Sequence, residues 1–534
     1  MSNALKKYNT TQNVSVNTQL PGQVKNNAGS FTYALDDVSR LQRFLILGVD
    51  GGTYYVSEKD LTSENVSWLQ DLVRRDPTLV LDTVLDVSTS GRAYRNAPAI
   101  FVLALVLNHG SDEAKAKVVE IAPKVARTAT MVYDLAQYIE NLGGWGRAKR
   151  KAIANWFTSK TPDQLAYQSV KYRQRNGWTL RDLMRLSHPV GLDQRVGNFI
   201  LGKEPIFGGP DILAGFHEMQ RSSSVNDVMF ALSQYPSLPW ETIPTQFLKD
   251  PEVWKTLFYN GSLNGQALVR NVVRLSKIGA FTDIKFAGDY AKKLTDEEMI
   301  VKTRLHPIQY LMASVTYEQG QLDRDTSGYS YNTHRSKNWT TNPKIADALH
   351  DGFYKAFKYS EPSGNRIRVG VDVSGSMSWS AAVGSDLTAA QGAGAMALVL
   401  ANQEDYVEVL GFANTLRDLQ ISPRDSFSNV FRKVQMNNFG YTDPGLLIQD
   451  AMNKSIKVDT FIVITDNEIN SGTQPASALR TYRQKMGIDA KLVVMAMTST
   501  GFTIADPDDR GMLDVVGFDA NVPKVVTDFM SGKI

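Results

Sequence analysis

The chain has 534 residues, of which 43% are hydrophobic and 21% charged, and its formal net charge is +3. This composition is typical of a globular protein with roughly two to four domains, and no run of about 18 apolar residues indicates a membrane-spanning helix. The absence of cysteine excludes disulfides and cysteine-ligated metals, and together with the polar N-terminus it predicts a cytoplasmic protein.

Asn, Gln, Ser and Thr are abundant in residues 1–30, which we predict to be a flexible arm. From there to residue 361, apolar residues recur with helical spacing between loops that contain Gly, Pro and Asp. The predicted helices include Val125–Leu142, Pro162–Asn176, Thr179–Leu186 and Asn264–Ile278, and strand-like alternation is nearly absent apart from Thr53–Val56. Paired helices over this length predict an α-solenoid of roughly seven HEAT-like repeats.

Positive charge is concentrated within this helical region. Residues 141–205 contain 12 Lys and Arg against 4 Asp and Glu. Such a density is typical of a surface that binds a polyanion, most often nucleic acid. One predicted helix places Arg147, Arg150 and Lys151 on the face opposite its apolar residues.

The following two helices extend the basic region. Lys171 and Arg175 are four residues apart in the predicted helix Pro162–Asn176, so both are expected to project from one face. Arg185 lies in the next helix and His188 follows that helix. Each feature alone is equally typical of a solvated helix surface, and three of them within 65 residues favour contact with phosphates.

Residues 362–534 alternate apolar strands with helices. The predicted strands are Ile367–Val373, Val407–Phe412, Thr460–Thr465, Lys491–Met497 and Asp514–Phe518. This alternation predicts a mostly parallel, doubly wound α/β sheet that is covered by helices on both faces. Ligands of such sheets bind at the carboxyl ends of the strands.

Oxygen-bearing side chains are predicted at those strand ends. They are Asp372, Ser374 and Ser376 after the first strand, Thr442 before a helix, and Asp466 after the third strand. Carboxylates and hydroxyls are hard ligands that suit Mg²⁺. Their order and spacing resemble the metal-ion-dependent adhesion site of von Willebrand factor A domains. This resemblance implies one Mg²⁺, or another divalent cation, with a position left for an acidic group of a partner. Tyr441 departs from the family pattern, and we expect it to narrow access to the metal.

Seven short segments resemble the TROVE domain of the Ro autoantigen family, and its bacterial members in particular. They are 41–45 (LQRFL), 51–55 (GGTYY), 145–148 (WGRA), 175–178 (RNGW), 183–188 (LMRLSH), 304–307 (RLHP) and 501–514 (GFTIADPDDRGMLD). The resemblance covers residues 31–534 and identifies the chain as a member of that family.

The Ro resemblance implies that residues 31–361 form a ring of HEAT-like repeats whose ends are joined by the A domain, residues 362–534. It implies that small noncoding Y RNAs bind the basic outer surface, with Lys171, Arg175 and His188 among the contacts. It also implies that single-stranded 3′ ends of misfolded RNAs enter the central hole. The family further implies association with a 3′ exonuclease such as polynucleotide phosphorylase, and we expect a monomer.

Two other functions fit parts of the sequence. The first is a protein-interaction adaptor, in which a solenoid carries a metal-dependent A domain and the basic residues are simply solvated. The second is a Mg²⁺-dependent RNA hydrolase. The two carboxylates of the predicted metal site are not accompanied by a second metal set or by a Lys or His base, which two-metal phosphoryl chemistry needs. We therefore predict a non-enzymatic RNA-binding protein.

Overall fold

The computed structural model describes residues 13–48, 67–203, 209–318, 339–358, 361–379, 387–435 and 441–534. The chain divides into two compact units. The first unit, here called the A-domain unit, contains residues 1–69, 92–98 and 357–534. The second, here called the helical unit, contains residues 70–91 and 99–356. The predicted strand Thr53–Val56 and the segment 51–55 lie outside the described residues.

The N-terminal two thirds of the chain consist mainly of helices. After strands β1 (Gln23–Lys25) and β2 (Phe31–Ala34), the α-helices are α1 (Asp37–Leu47), α2 (Ser67–Arg75), α3 (Pro77–Ser90), α4 (Ala97–His109), α5 (Asp112–Val125), α6 (Ala129–Asn141), α7 (Arg147–Thr158), α8 (Pro162–Lys171), α9 (Leu180–Ser187), α10 (Gln194–Leu201), α11 (Asp211–Arg221), α12 (Val225–Gln234), α13 (Pro251–Tyr259), α14 (Gln266–Arg270), α15 (Val272–Lys277), α16 (Ile284–Leu294), α17 (Glu297–Thr303), α18 (Pro307–Glu318) and α19 (Pro343–Lys355). Short 3₁₀ helices cover Trp240–Thr242, Thr245–Lys249 and Ala280–Thr282. Among the described helices, none combines the length and hydrophobicity that crossing a bilayer requires.

Helices of the helical unit pack in pairs and bury large aromatic side chains. Helix α5 packs against α3 and α7, and α18 packs against α19. Trp156 and Trp254 are fully buried, and their indole N–H groups donate to backbone carbonyls at 2.6 and 2.9 Å. The indole rings therefore contribute apolar contact area without leaving a buried donor unsatisfied.

Two helices that the sequence predicts as continuous are interrupted. The predicted helix Val125–Leu142 is broken, and α6 begins only at Ala129 because the Thr128 side chain caps it by accepting from Met131 N. The predicted helix Asn264–Ile278 is divided at Asn271, whose side-chain amide donates to Ala267 O at 2.8 Å. In both places a polar side chain binds the local backbone, and this competes with helix continuation.

The A-domain unit contains a six-stranded sheet in the order β5-β4-β3-β6-β7-β9. Its strands are β3 (Arg366–Asp372), β4 (Tyr406–Phe412), β5 (Leu416–Asp418), β6 (Thr460–Thr465), β7 (Lys491–Ala496) and β9 (Met512–Val516). Its helices are α20 (Gly375–Trp379), α21 (Ala389–Gln403), α22 (Phe427–Val434), α23 (Gly445–Asn453), α24 (Pro475–Met486) and α25 (Val522–Met530). All pairings are parallel except that of the edge strand β5. The predicted doubly wound α/β fold is confirmed, and β6 is buried along its whole length.

A three-stranded antiparallel sheet connects the N-terminal segment to the A domain. Its order is β1-β2-β8, where β8 is Phe502–Thr503. Val16 is fully buried and its backbone N–H donates to Gly472 O at 3.1 Å. The prediction of a flexible arm is therefore wrong for residues 13–30. Their amide side chains form buried hydrogen bonds such as that from Asn26 Nδ2 to Ile469 O at 2.7 Å.

The division into units also differs from the predicted domain boundary at residues 361 and 362. The A-domain unit begins again at residue 357, close to that boundary, but it includes the segments 1–69 and 92–98 as well. Helix α1 packs against β9, and the side chain of Arg92 forms an ion pair of 2.7 Å with Asp519. Segments distant in sequence thus complete the compact unit around the A domain.

Candidate functional site

Two acidic side chains lie at the carboxyl edge of the six-stranded sheet. Asp372 ends β3 and Asp466 follows β6, and these strands are direct parallel neighbours. Both carboxylates are completely buried. The Asp372 carboxylate is fixed from two sides, because Thr465 Oγ1 donates to its Oδ2 at 2.7 Å and Ser374 N donates to its Oδ1 at 3.0 Å.

Hydroxyl groups lie beside the two carboxylates. Ser374 Oγ and Ser376 Oγ are 3.0 Å apart, and the Ser376 hydroxyl interacts with the Asp466 carboxylate. Asp466 Oδ1 accepts from Glu468 N at 2.9 Å, whereas Asp466 Oδ2 is buried and has no hydrogen-bond partner. A buried carboxylate oxygen without a donor is costly unless a cation or water meets it.

Thr442 is presented by a third loop. It is buried, and its backbone N–H donates to Asn470 Oδ1 at 2.7 Å, which joins this loop to the one that carries Asp466. The neighbouring Tyr441 is 66% exposed, so its side chain extends largely into solvent. All five predicted metal residues are therefore buried at the same sheet edge, on three loops tied to one another.

Electrostatics at this edge favour a cation. Burial, and then the negative charge of Asp466, raises the pKa of Asp372 to about 7. Burial, and then the same charge, raises the pKa of Glu468 to about 8. Among the described residues no three Asp, Glu or His side chains converge on a metal position, so an ion here would need the hydroxyls as ligands. The donors, two carboxylates and three hydroxyls, fit a hard cation such as Mg²⁺.

The first basic helix has the surface that the sequence predicts. In α7, Arg147, Arg150 and Lys151 are exposed, whereas Ile153 is buried. Lys149 differs from these three because its side chain is buried, and its Nζ donates to two oxygens of the helical unit at 2.8 and 2.9 Å. The three exposed cations are therefore available to a ligand, and Lys149 is structural.

Helix α8 ends at Lys171, five residues before the predicted end. The prediction that Lys171 and Arg175 share one helix face is therefore wrong. The helix stops where the hydroxyl of Tyr133 donates to Tyr172 O at 2.9 Å. The Lys171 side chain is only 19% exposed, and its Nζ lies 3.1 Å from Tyr167 Oη and close to the rings of Tyr167 and Tyr172.

Arg175 lies in a tight turn that follows α8. Its backbone exchanges two hydrogen bonds with Trp178, of 3.0 and 2.8 Å, and Asn176 and Gly177 between them have φ of 52° and 79°. These left-handed conformations suit the Asn-Gly pair. Arg175 Nε forms an ion pair of 2.9 Å with Asp134, which also accepts from Asn176 Nδ2 at 3.0 Å. The Arg175 side chain is half exposed and held in place.

The remaining predicted residues, Arg185 and His188, are both exposed. Arg185 lies in the last turn of α9, and His188 is the residue that ends this helix. His188 has a φ of 49°, and its backbone N–H donates to Met184 O at 3.0 Å. The backbone of His188 thus caps α9, which leaves the imidazole at the surface.

Comparisons with known proteins cover both the helical region with the basic residues and the A domain with the predicted metal residues. A family described as the TROVE domain matches residues 24–201 and 235–326, and the Ro60 vWA domain matches residues 366–530. The RNA-binding protein RO60 of Deinococcus radiodurans is 37% identical over the full length of both chains. This chain belongs to the Ro60 family.

Other members of the Ro60 family align over nearly the whole chain. The RNA-binding protein RO60 of Caenorhabditis elegans is 32% identical and covers 96% of this chain and 91% of its own. The crystal structure of the Deinococcus radiodurans RO (RSR) protein aligns with a TM-score of 0.67 at 35% identity, covering 93% of this chain and all of that one. The two-part architecture is therefore that of the Ro60 family.

The sequence analysis did not identify Thr465 or Glu468 as neighbours of the predicted metal residues. Thr465 orients Asp372 through a hydrogen bond, and Glu468 supplies the N–H that binds Asp466. The available signal for Thr465 is a hydroxyl at the last position of a buried strand, directly before Asp466. The role of Glu468 depends on the N-terminal segment, because Asn27 Nδ2 donates to its carboxylate at 2.6 Å.

Proposed function

We propose that this Ro60-family protein binds structured RNA through the basic surface of its helical unit. The observation that carries the proposal is a set of exposed cationic side chains within one stretch of the chain: Arg147, Arg150, Lys151, Arg175 and Arg185. Two relatives that match almost end to end are named RNA-binding proteins. Exposed Arg and Lys bind phosphates and release counterions, and this term dominates affinity for nucleic acid.

The residues of this surface differ in what they can contribute. Arg175 uses its Nε for Asp134, and a guanidinium has four further N–H donors that can bind phosphate in a fixed orientation. Lys171 is mostly covered by its two tyrosine neighbours, so we assign it a secondary role. The exposed imidazole of His188 can donate a hydrogen bond or stack on an unpaired base.

The proposal extends to the ligands that the Ro family implies. Small noncoding Y RNA would occupy the outer basic surface, and single-stranded 3′ ends of misfolded RNA would enter a central hole formed by HEAT-like repeats. The protein would then be a non-catalytic, monomeric, cytoplasmic ribonucleoprotein component that presents RNA to a 3′ exonuclease such as polynucleotide phosphorylase. Family membership and the exposed cations support this assignment.

We further propose that Asp372, Ser374, Ser376, Thr442 and Asp466 hold one Mg²⁺. The unsatisfied Asp466 Oδ2 and the mutual repulsion of two buried carboxylates support this proposal. A bound Mg²⁺ would offer an electrophilic position to an acidic group of a protein partner. This chain's contribution would be to hold the two carboxylates in fixed orientations, through Thr465, Ser374 N and Glu468 N.

The RNA proposal is tested by comparing hairpin RNAs that differ only in a free 3′ tail. We expect the full-length protein to bind both hairpins, and the tailed RNA more tightly, because the tail adds backbone contacts in the hole. Equal affinity for tailed and blunt RNA would argue against the hole. Absence of RNA binding, with Mg²⁺-dependent binding of an acidic peptide, would instead favour the adaptor function.

A further inference from the structure

A cavity of about 940 Å³ opens in the helical unit, and most of its lining comes from helices α9, α10 and α11. Its walls include Phe199 from α10 and Phe216 and His217 from α11. None of the cations assigned above to the RNA-binding surface lines it. Arg173, which lines the cavity, lies between Lys171 and Arg175 in the chain. Its volume lies within the range of about 300–1,000 Å³ that is typical of small-molecule sites.

One wall of this cavity is an aromatic cluster. The ring centroids of Phe199, Phe216 and His217 are 5.6–5.9 Å apart, and each pair is arranged edge to face. Phe199 and Phe216 are partly exposed and His217 is exposed, although an apolar ring is stabilised by complete burial. In an edge-to-face pair, the ring that presents its edge keeps its own faces clear of its partner, and a further flat group can stack there.

Guanidinium groups lie next to this aromatic wall. The Arg173 guanidinium lies over the Phe216 ring, 5.1 Å from its centroid, and Arg173 is exposed. Arg181 also lines the cavity, and its Nε donates weakly to a backbone carbonyl at 3.5 Å. A third cation, Arg195, is neutralised by its ion pair with Asp193 at 2.6 Å.

Two acidic side chains, Asp182 and Asp211, also line the cavity. One carboxylate oxygen of Asp182 accepts from both the backbone N–H and the hydroxyl of Thr179, at 3.0 and 2.6 Å. Asp211 is exposed at the start of α11. The cavity therefore combines aromatic stacking surfaces with two arginines, Arg173 and Arg181. Among the described residues, neither arginine forms a close ion pair.

We propose that this cavity accepts one nucleotide extruded from a bound RNA, with the base against Phe216 and its phosphate at Arg173 and Arg181. Single-stranded RNA is recognised by stacking unpaired bases on aromatic rings or guanidinium planes, with cations on the backbone. The inference rests on the proposed RNA-binding function. It favours an RNA nucleotide over a free one because Arg173, which lines the cavity, lies in the chain between Lys171 and Arg175.

The test uses adenosine 5′-monophosphate and ribose 5-phosphate as probes, titrated by calorimetry into the full-length protein. We expect the nucleotide to bind at least tenfold more tightly than ribose 5-phosphate, because only the nucleotide has a base to stack. Phe216→Leu should weaken nucleotide binding by about tenfold, since base stacking on one aromatic ring contributes that order of affinity. The matched control Phe230→Leu removes an exposed phenylalanine that does not line the cavity, and it should have no effect.

A hairpin RNA then distinguishes the two sources of the nucleotide. We expect this RNA to compete with adenosine 5′-monophosphate, and Phe216→Leu to weaken RNA binding severalfold. Arg173→Gln, an exposed position that folding should tolerate, provides a second variant that should reduce binding of both ligands. If the RNA and the free nucleotide bind simultaneously, the cavity is a free-nucleotide site and the extruded-base proposal is overturned.

Other results overturn the proposal without involving the RNA-binding function. Equal binding of ribose 5-phosphate and the nucleotide, or nucleotide binding unchanged by both Phe216→Leu and Arg173→Gln, would show that the cavity does not recognise a base. If the wild-type protein binds the hairpin and neither variant alters that binding, only the cavity assignment fails. If the wild-type protein binds no RNA at all, the proposed function itself fails.

Discussion

The guanidinium of Arg43 donates a hydrogen bond to the carboxylate of Asp514, and the pair joins helix α1 to strand β9. Arg43 is completely buried, and its Nη1 also donates to Phe502 O at 2.9 Å. The two partners belong to the segments 41–45 and 501–514, which both resemble the Ro family in sequence. Their contact joins two motifs that lie at opposite ends of the chain.

Removing Arg43 should strongly destabilise the A-domain unit. Arg43→Ala leaves Asp514 nearly buried without its guanidinium, which typically costs about 3–5 kcal/mol. The control is Arg366→Ala, because the Arg366–Asp459 pair is partly exposed and should contribute at most about 1 kcal/mol. Urea unfolding monitored by circular dichroism measures both losses. Equal losses for the two variants would contradict a special role for the buried pair.

Arg175 should contribute more to RNA binding than Lys171. Each phosphate neutralised on a duplex contributes about 0.9 to the slope of log affinity against log salt. Arg175→Ala should therefore lower the slope by roughly 0.9, and Lys171→Ala by much less, because Lys171 is covered by Tyr167 and Tyr172. Filter binding across a salt series measures the slopes. A larger effect of Lys171→Ala on the slope would contradict the geometry.

Mg²⁺ should stabilise the wild-type protein but not the Asp372→Ala variant. A ligand at 100 times its dissociation constant stabilises the folded state by about 2.7 kcal/mol, which is visible as a rise in the melting temperature. Asp405→Ala removes an exposed carboxylate of the same unit and serves as the control. The same Mg²⁺-induced rise in Asp372→Ala as in the wild type would contradict the proposed site. RNA affinity should be nearly unchanged in either variant.

Asn27 should influence the proposed metal site without being a ligand. Asn27 Nδ2 and Ala28 N bind the two carboxylate oxygens of Glu468 at 2.6 and 3.1 Å, and Glu468 N in turn binds Asp466. Asn27→Ala should therefore weaken Mg²⁺ affinity by roughly tenfold, as loss of an outer-shell contact commonly does. Calorimetric titration with Mg²⁺ measures the change. Unaltered affinity would show that the N-terminal segment does not position the loop.

Secondary structure is predictable from the sequence where the residues of a single segment determine it. Strand β6 has a continuous apolar run between its terminal threonines, and its bounds agree with the predicted strand Thr460–Thr465. The proximity of Asp372 and Asp466 is predictable for a related reason, since parallel strands bring their carboxyl ends to one edge.

The sequence fails where distant contacts override local preference. The end of α8 depends on Tyr133, which lies 39 residues from its partner Tyr172. The order of residues 13–30 depends on partners more than 400 residues away, such as Ile469 for Asn26 and Glu468 for Asn27. The amide-rich composition of this segment predicts disorder because composition is judged from the segment alone, without its distant partners.

The central claim, RNA binding by the exposed cations of α7, is tested most directly by the salt dependence of hairpin RNA affinity. The triple change Arg147→Ser, Arg150→Ser and Lys151→Ser should weaken binding and lower the log–log slope by up to about 2.7, because three phosphate contacts are lost. A control with Lys285→Ser and Lys302→Ser removes exposed charges elsewhere in the helical unit and should leave the slope close to that of the wild type. An unchanged slope in the folded triple variant, or an equal fall per charge in the control, would contradict the account.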